Sequence, residues 1–196
     1  MRVIALNSTL KTSDAESSTD RLLGEVLKEF ARHEATGEIV RAADPNIKPG
    51  VTSDEGPGDD WPALRQRILG ADILLVGTPI WLGQPSSVCK RVLERMNAFL
   101  SETNEQGRMV SFGKVAAVAV VGNEDGAHHV CAELYRRSMT LASPSPPRPA
   151  PTGSVRRCKA LITRSWTNPL RIPTIATGDS ERRRPPVPIE GGQRFR

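Results

Sequence analysis

The sequence predicts an α/β fold with a doubly wound parallel sheet. Apolar runs typical of strands alternate with segments of helical periodicity, in the order βαβαβαβα. The runs Ile73–Val76 and Val115–Val121 are apolar throughout, as in strands that are buried on both faces of a parallel sheet. The segments between successive strands are long enough for the crossovers of about a dozen residues that parallel pairing requires.

Each predicted element has its own signal in the sequence. Pro62 is tolerated in the first turn of the second helix, and Ser86 or Ser87 can cap the third helix. The first helix carries five apolar residues at helical spacing, Leu22, Leu23, Val26, Leu27 and Phe30. The predicted elements are strand 2–6, helix 19–34, strand 38–41, helix 61–69, strand 72–78, helix 87–100, strand 115–121 and a helix ending near residue 137.

The chain combines two compositions. Residues 1–138 carry 16 Lys and Arg against 19 Asp and Glu, whereas residues 139–196 carry 11 against 3, so the net charge of +5 belongs to the tail. The tail also holds 10 of the 16 prolines, and proline is excluded from helix interiors and inner strands. We therefore predict one folded domain over residues 1–137 and a disordered, basic, Pro/Arg-rich tail over residues 138–196.

Several protein classes lose support from composition alone. There is no apolar run of 18 residues, which argues against a membrane span, and the N-terminal MRVIALNS leads into a strand instead of a signal peptide. Cys89, Cys131 and Cys158 lack the spacing of metal ligands, so we expect reduced thiols in a cytoplasmic protein. Cys89 and Cys131 fall in predicted helices, where we expect small core residues.

Three loops follow predicted strands and would meet at the edge where open α/β sheets bind ligands. The first loop, NSTLK from Asn7, leads through Ser17, Ser18 and Thr19 into a helix. Its hydroxyls and the helix N-terminus favour a phosphate, to which Lys11 can add a charge. Neither GxGxxG nor GxxxxGK[ST] is present, which argues against dinucleotide and P-loop sites. Such hydroxyl residues can also do no more than cap the helix.

The second loop, residues 78–83, reads TPIWLG. Trp81 in this loop is either a lid over the core or the cover of a flat aromatic ligand. The third loop, residues 122–129, reads GNEDGAHH, and its two glycines allow close approach of the backbone to a ligand. Its polar residues can also simply form a turn. His128 and His129 are adjacent and would diverge on a helix, so we expect no metal site.

No catalytic triad and no pair of carboxylates can be assembled from the sequence, so we assign no catalytic residue. A phosphate pocket, an aromatic wall and a glycine-containing third loop fit flavin mononucleotide (FMN). In that case the flavin carries the reaction, and the protein binds, orients and tunes it.

Together, the three loops resemble those of the flavodoxin-like NAD(P)H-dependent FMN reductase family. NSTLK with SST resembles the family's phosphate loop, TPIWLGQPSS the loop along the isoalloxazine ring, and GNEDGAHH the third flavin loop. The resemblance covers residues 1–137. It implies a five-stranded parallel sheet in the order 2-1-3-4-5, FMN at the switch point between strands one and three, NAD(P)H as hydride donor, and self-association into a homo-oligomer.

The resemblance also implies roles for individual residues. The first loop would hold the phosphate, the second would line one side of the ring, and the stretch from Gly122 to Gly126 would border its other edge. His129 would contact the ring or the substrate, unless it lies on the helix surface. The predicted FMN-binding residues are Ser8, Thr9, Lys11, Ser17, Ser18, Thr19, Thr78, Pro79, Ile80, Trp81, Leu82, Gly83, Gly122, Asn123, Glu124, Asp125, Gly126 and His129.

The tail departs from the family. A fifth strand and a closing helix should follow Arg137, and we predict that both are missing. Codons read in a shifted frame after Arg137 permit DDIGFTIPAQ, which looks like the family's fifth strand, so we hypothesise a reading-frame slip. Without the closing helix, aliphatic side chains worth about 1.5–3 kcal/mol each when buried would be uncovered.

These observations favour an FMN-dependent oxidoreductase that passes electrons from NAD(P)H to a quinone or a similar small-molecule acceptor. Two alternatives remain: an inactive truncated or frame-shifted product, and a flavin-binding protein without reductase activity. A basic tail could also bind nucleic acid. A frame slip explains its composition, however, so we expect neither a nucleic-acid partner nor a membrane partner.

Overall fold

The computed structural model describes residues 1–142 and 159–164, with side chains for residues 1–137. Every predicted helix and strand is present, with some shifts at the ends. The elements are β1 (Arg2–Asn7), α1 (Ser18–Ala31), β2 (Thr36–Arg41), α2 (Trp61–Gly70), β3 (Ile73–Trp81), β4 (Gln84–Pro85), α3 (Ser87–Arg95), a 3₁₀ helix (Met96–Leu100), β5 (Val115–Gly122), α4 (Ala127–Ala142) and β6 (Lys159–Arg164).

The main sheet is parallel and has the strand order β2-β1-β3-β5-β6. This order confirms the predicted arrangement 2-1-3-4-5, with β5 and β6 in the fourth and fifth places. Leu6, Val76 and Val118 lie in one row across the three central strands. The chain order runs outward in opposite directions from β1 and β3, so the crevice between their carboxyl ends is the switch point where such sheets bind ligands.

Successive residues of the inner strands alternate between two core layers, as the period of a strand requires. One layer, which includes Leu6 and Val76, packs against α2, α3 and α4. The other includes Ala5 and Leu75 and packs against the predicted apolar face of α1. The cysteines of α3 and α4, Cys89 and Cys131, are buried core residues, as predicted.

A buried ion pair fastens the long connection between β2 and α2 to α3. Nη2 of Arg95 lies 2.6 Å from Oδ2 of Asp59, and both side chains are fully buried. Glu55 adds a second carboxylate, with Oε1 3.2 Å from Nη1 of Arg95. The other oxygen of Asp59 accepts hydrogen bonds from the backbone N–H groups of Lys48 and Trp61 at 3.2 and 3.1 Å. A connection without helix or strand is thereby held to the core.

The fifth strand corrects one prediction. We predicted that this strand is missing, but the backbone of Lys159–Arg164 pairs with β5 in parallel. The segment reads KALITR and is free of proline, with the β-branched residues Ile162 and Thr163 in its second half. These residues suit a strand, and the edge of β5 offers unpaired backbone groups to it. The prolines on both sides of this segment dominate the composition of the tail, so the strand was not predicted.

Helix α4 continues past the predicted end at residue 137 to Ala142. Disorder was predicted for residues 138–196, but residues 138–142 are helical and residues 159–164 form a strand. The rest of that range, residues 143–158 and 165–196, and with it the predicted absence of a closing helix, lies outside the described residues. The reading-frame hypothesis concerns the same region and remains a hypothesis about the gene.

Candidate functional site

The carboxyl ends of β1, β3 and β5 bring the three predicted loops to one edge of the sheet. The first loop comprises residues 8–17, the second folds into a hairpin over residues 80–85, and the third loop comprises residues 122–126. The pairing of β1 with β3 continues into the site, because the backbone N–H of Ser8 donates to the carbonyl of Gly77 at 2.8 Å.

The first loop is shaped by hydrogen bonds that begin at Asn7. Its side-chain oxygen accepts from the backbone N–H of Thr9 at 2.9 Å. Ser17 caps α1, with its hydroxyl accepting from the N–H of Asp20 at 3.4 Å. Lys11 is exposed, and its ammonium donates to the carbonyl of Glu16 at 2.9 Å. A helix N-terminus and a lysine therefore flank this loop, a combination suited to an anion.

Not every predicted residue of the first loop offers its side chain to solvent. Ser8, Thr9 and Thr19 are buried, whereas Ser17 and Ser18 are half-buried. The buried hydroxyl of Ser8 has no hydrogen-bond partner among the described residues. Only the weakly polar thiol of Cys89 interacts with this hydroxyl, so it lacks a strong partner at the edge where the loops meet, which is costly unless something binds it.

Ser86 fastens the first loop to the hairpin. Its hydroxyl donates to the carbonyl oxygen of Ser8 and accepts from the N–H of Cys89 at 3.0 Å, so the predicted cap of α3 is confirmed. Its own N–H donates to the hydroxyl of Thr78 at 3.1 Å. Thr78 is fully buried, so it supports the site from below and its side chain is closed to solvent.

Burial beneath these loops also controls the thiols. It raises the pKa of Cys89 to about 12, an effect that the neighbouring hydroxyls of Ser8 and Thr78 offset only in part. Burial likewise raises the pKa of Cys131 to about 11. Both thiols therefore stay protonated in the native protein up to pH values at which an unfolded cysteine, with a pKa of about 8.5, is a thiolate.

We expect both thiols to resist a thiol reagent in mildly alkaline buffer. The measurement is a reagent titration of a Cys158→Ser variant, first native and then in concentrated guanidinium, which should expose both thiols. Because the native pKa values are raised, stability should fall as the pH climbs from about 8.5 towards about 12. Rapid reaction of the native variant would contradict the burial of these thiols.

The second predicted loop is a hairpin. Ile80 and Trp81 pair with Pro85 and Gln84 in antiparallel fashion, and the two turn residues Leu82 and Gly83 have φ values of 49° and 73°. Positive φ at both positions is the geometry of type I′ hairpin turns. We predicted a plain loop here, and the hairpin is the correction.

The hairpin leaves apolar side chains in solvent. Trp81 is 56% exposed and Leu82 is 92% exposed, so Trp81 is not the lid of the core that we considered as an alternative. Leu82 also holds a left-handed backbone conformation that a leucine rarely adopts. Ile80, by contrast, is buried in the core, so only its backbone is available to a ligand. Pro79 is half-buried beside it.

The third loop is held against the hairpin at three points. The backbone N–H of Leu82 donates to Oε1 of Glu124 at 3.0 Å. Gly126 has a φ of +105°, and a Cβ built on it would lie 2.6 Å from Cα of Gly83. At the start of α4, the Nε2 atoms of His129 and Gln84 lie 3.1 Å apart. The two loops therefore form one surface.

The remaining residues of the third loop have mixed surroundings. Asn123, Glu124 and Asp125 are exposed, and the carboxylate of Asp125 accepts from the N–H of Gly126 at 2.7 Å. A Cβ on Gly122 would lie 2.9 Å from the side chain of Ile80. Among the described residues, no group of three potential metal ligands is found.

Three important residues escaped prediction. Arg41 at the end of β2 and Asp20 in α1 contact the first loop, and Gln84 contacts His129. One signal was available, because the carboxyl end of β2 lies beside that of β1 in the predicted strand order. The individual contacts depend on loop conformations that no local pattern specifies.

The assembled edge has two chemically different ends. The end at α1 presents a helix N-terminus, backbone N–H groups and Lys11, which suits an anionic group. The end at the hairpin presents exposed apolar surface from Trp81 and Leu82, which suits a flat apolar ring. The arrangement can therefore hold a ligand with a phosphate and an aromatic system.

Comparison with known proteins gives two relatives by sequence. The chain is 37% identical over 152 residues to the divalent metal cation transporter MntH of Mycobacterium bovis, covering 76% of this chain and 22% of that protein. It is 30% identical over 159 residues to the 8-demethyl-8-aminoriboflavin-5′-phosphate synthase of Streptomyces davaonensis, covering 76% of this chain and 62% of that protein. This chain thus spans less than two thirds of either relative.

The first of these relatives is named as a transporter, which raises the question of a membrane span. In residues 1–142 and 159–164, no helix has the length and apolar character needed to cross a bilayer.

A solved structure gives a likeness of the fold. The crystal structure of RosB with bound 8-demethyl-8-formylriboflavin-5′-phosphate matches with a TM-score of 0.68 and 27% identity, covering 86% of this chain and 68% of that chain. The family model of NADPH-dependent FMN reductases matches residues 1–150, a range that includes all three loops. The chain therefore belongs to the NADPH-dependent FMN reductase family, which implies FMN and NAD(P)H as its cofactors.

Proposed function

We propose that this chain binds FMN at the carboxyl edge of its sheet and acts as an NAD(P)H-dependent oxidoreductase. The observation that carries the proposal is the fastening of three loops into one surface at the switch point, with the anion-binding end and the exposed apolar end side by side. We propose a quinone or a similar small molecule as the electron acceptor.

The first loop would hold the phosphate of FMN. The α1 N-terminus and the backbone N–H groups supply donors without a large desolvation cost. Lys11 supplies a positive charge, and the hydroxyl of Ser8, which makes no hydrogen bond to an oxygen or nitrogen of the described residues, supplies a buried polar group near the loop junction. Ser17, Ser18 and Thr9 belong to the same segment. Because Thr19 is 1% exposed, its contribution would come from its backbone.

The hairpin and the third loop would hold the ring. Trp81, Leu82 and Gly83 offer an exposed apolar edge, and Pro79 and Ile80 form the strand end beneath it. The backbones of Gly83 and Gly126 are in direct contact, because a Cβ on Gly126 would lie 2.6 Å from Cα of Gly83. Such a joined surface would orient a planar ligand and exclude water from one side of it.

FMN, when bound, supplies hydride transfer, which no side chain can supply. The chain's own residues would bind, orient and shield. His129 lies on the surface with its ring against Gln84, so we assign it a contact role near the ring and no proton transfer. We propose no catalytic side chain.

A second candidate function treats the flavin as substrate. One sequence relative is named as a synthase of an aminoriboflavin phosphate, and one matching structure holds a formylriboflavin phosphate. Both names support recognition of a flavin 5′-phosphate at this site. Mass analysis of the flavin recovered after turnover separates the two functions, because a cofactor returns unchanged and a substrate does not.

The test of the proposed site is an FMN titration followed by flavin fluorescence. We expect saturable quenching by the full chain and about tenfold weaker binding by Trp81→Ala, because stacking on an aromatic ring contributes about 0.5–1.5 kcal/mol beyond burial. Far-UV circular dichroism should be unchanged, since Trp81 is 56% exposed.

Phe112→Ala is the matched control. Phe112 is another exposed aromatic residue, 41% exposed, but it precedes β5 and lies at the opposite edge of the sheet. The Phe112→Ala variant should bind FMN with the same affinity as the unaltered chain. Equal affinity of the Trp81 variant and the unaltered chain would remove Trp81 from the site, and no quenching by the unaltered chain would refute FMN binding.

A further inference from the structure

Arg41 is a buried arginine whose backbone pairs with Asn7 of β1 and whose guanidinium is directed to the first loop. It is the last residue of β2 and lies at the same edge as the first loop, with 8% of its surface exposed. A buried guanidinium needs partners for its donors and for its charge. All the partners identified for it lie in the first loop or in the first turn of α1.

One nitrogen of Arg41 binds the backbone of the first loop. Nη1 donates to the carbonyl oxygens of Thr12 at 2.7 Å, Ala15 at 3.1 Å and Lys11 at 3.3 Å. Three carbonyls from a five-residue stretch thus converge on one group. Their oxygens are turned towards Arg41, and the loop is bent around the guanidinium.

Nη2, the other terminal nitrogen of Arg41, is linked to Thr9 through the side chains of Asp20 and Asn7. Nη2 forms an ion pair with Oδ2 of Asp20. Oδ1 of Asp20 accepts from the side-chain amide of Asn7 at 2.6 Å, and the amide oxygen of Asn7 accepts from the N–H of Thr9 at 2.9 Å. Arg41 is therefore connected to the first loop in two ways, directly through the carbonyls of residues 11, 12 and 15 and indirectly to Thr9 through Asp20 and Asn7.

We propose that Arg41 is a positioning residue that holds the first loop in the conformation that binds the 5′-phosphate of a flavin. The inference rests on the proposed function for the identity of the ligand. Arg41 acts through geometry, because Asp20 neutralises its charge and its donors are occupied by the loop. By drawing the carbonyl oxygens to itself, it keeps their negative ends away from an anion bound on the other side.

Lysine cannot replace arginine in this role. The guanidinium reaches several acceptors with a rigid planar fork, whereas an ammonium presents its donors from a single point. Arg41→Lys keeps the charge and most of the volume, so it tests the fork geometry without removing the cation.

The experiment compares the affinities for FMN and riboflavin, which differ only in the phosphate. The expected result is that Arg41→Lys weakens FMN binding by about tenfold, on the scale of hydrogen bonds to charged groups. Riboflavin binding should stay within about twofold of the unaltered chain. A residue with a merely structural role would weaken both ligands equally.

Arg67→Ala is the matched control. Arg67 forms an ion pair with Glu38 of β2 at 3.0 Å, and both side chains are largely exposed. Its loss removes an arginine paired with the same strand but leaves the first loop untouched, so both affinities should be unchanged. A native circular dichroism spectrum of Arg41→Lys establishes that the variant is folded before its two affinities are compared.

Two outcomes would overturn the role of Arg41 and leave the proposed function intact. One is a lysine variant with the FMN affinity of the unaltered chain, and the other is a lysine variant that loses FMN and riboflavin affinity in equal measure. An unaltered chain that binds FMN and riboflavin equally would refute the phosphate site in the proposed function, and the role of Arg41 with it. That result requires no variant, so the two failures are distinguishable.

Discussion

The Gly126→Ala variant is expected to bind FMN at least about thirtyfold more weakly than the unaltered chain. Two costs add at this residue. Its φ of +105° lies in a region that alanine avoids, at a cost of about 1–3 kcal/mol. The added Cβ would also lie 2.6 Å from Cα and 3.0 Å from the carbonyl oxygen of Gly83, which are backbone atoms that cannot rotate away. Tenfold in affinity corresponds to about 1.4 kcal/mol.

The strain must be relieved by a movement of the hairpin or of the third loop. The carbonyl of Gly126 accepts the N–H of Val130 in the first turn of α4 at 2.9 Å, so the third loop is fixed from that side. The hairpin is the part free to shift, and it carries Trp81. A shift would also disturb the bond between Leu82 and Glu124. The effect on FMN should therefore exceed the effect on stability.

Gly58→Ala separates the contact from the strain. Gly58 has a φ of +82°, but no described atom lies within 4 Å of a Cβ built there, and it lies in the connection between β2 and α2. The Gly58→Ala variant should have a somewhat lower free energy of unfolding and an unchanged affinity for FMN. The two variants are compared by thermal unfolding and FMN titration, and equal affinities would show that the Gly83–Gly126 approach is not needed for binding.

The fold was predictable because its signals are local and redundant. The run Ile73–Val76 reads as a strand buried on both faces, and both of its faces are buried in the structure. The apolar spacing of α1 predicted which face packs on the sheet, and Leu22, Leu23 and Val26 are buried there. Once the order of strands and helices is known, parallel pairing brings their carboxyl ends together.

The hairpin and Arg41 were not predictable because they depend on distant contacts. Two-residue hairpins are signalled by Asn-Gly or Asp-Gly, whereas this one has Leu82 at a φ of 49°, supported by Glu124 from another loop. Arg41 is separated from its partners by 21 to 30 positions in sequence. The strand Lys159–Arg164 lies in a proline-rich context, and its six residues are too short a signal without the open edge of β5 with which they pair.

The second large effect concerns stability. We expect Asp59→Ala to lower the free energy of unfolding by about 3–5 kcal/mol, because it leaves the buried guanidinium of Arg95 without its closest carboxylate. The loss is large against a domain stability of about 5–15 kcal/mol. The N–H groups of Lys48, Glu55 and Trp61 lose their acceptor at the same time. Chemical denaturation followed by circular dichroism measures the change.

Two further variants make this prediction specific to the buried pair. Arg67→Ala removes an arginine from the exposed pair with Glu38 and should cost less than about 1 kcal/mol. Adding Arg95→Met to Asp59→Ala removes the unpaired charge, so the double variant should be more stable than Asp59→Ala alone. A double variant that is less stable instead would show that Arg95 contributes through its packing over the Trp61 ring, 5.8 Å from its centroid, more than through its charge.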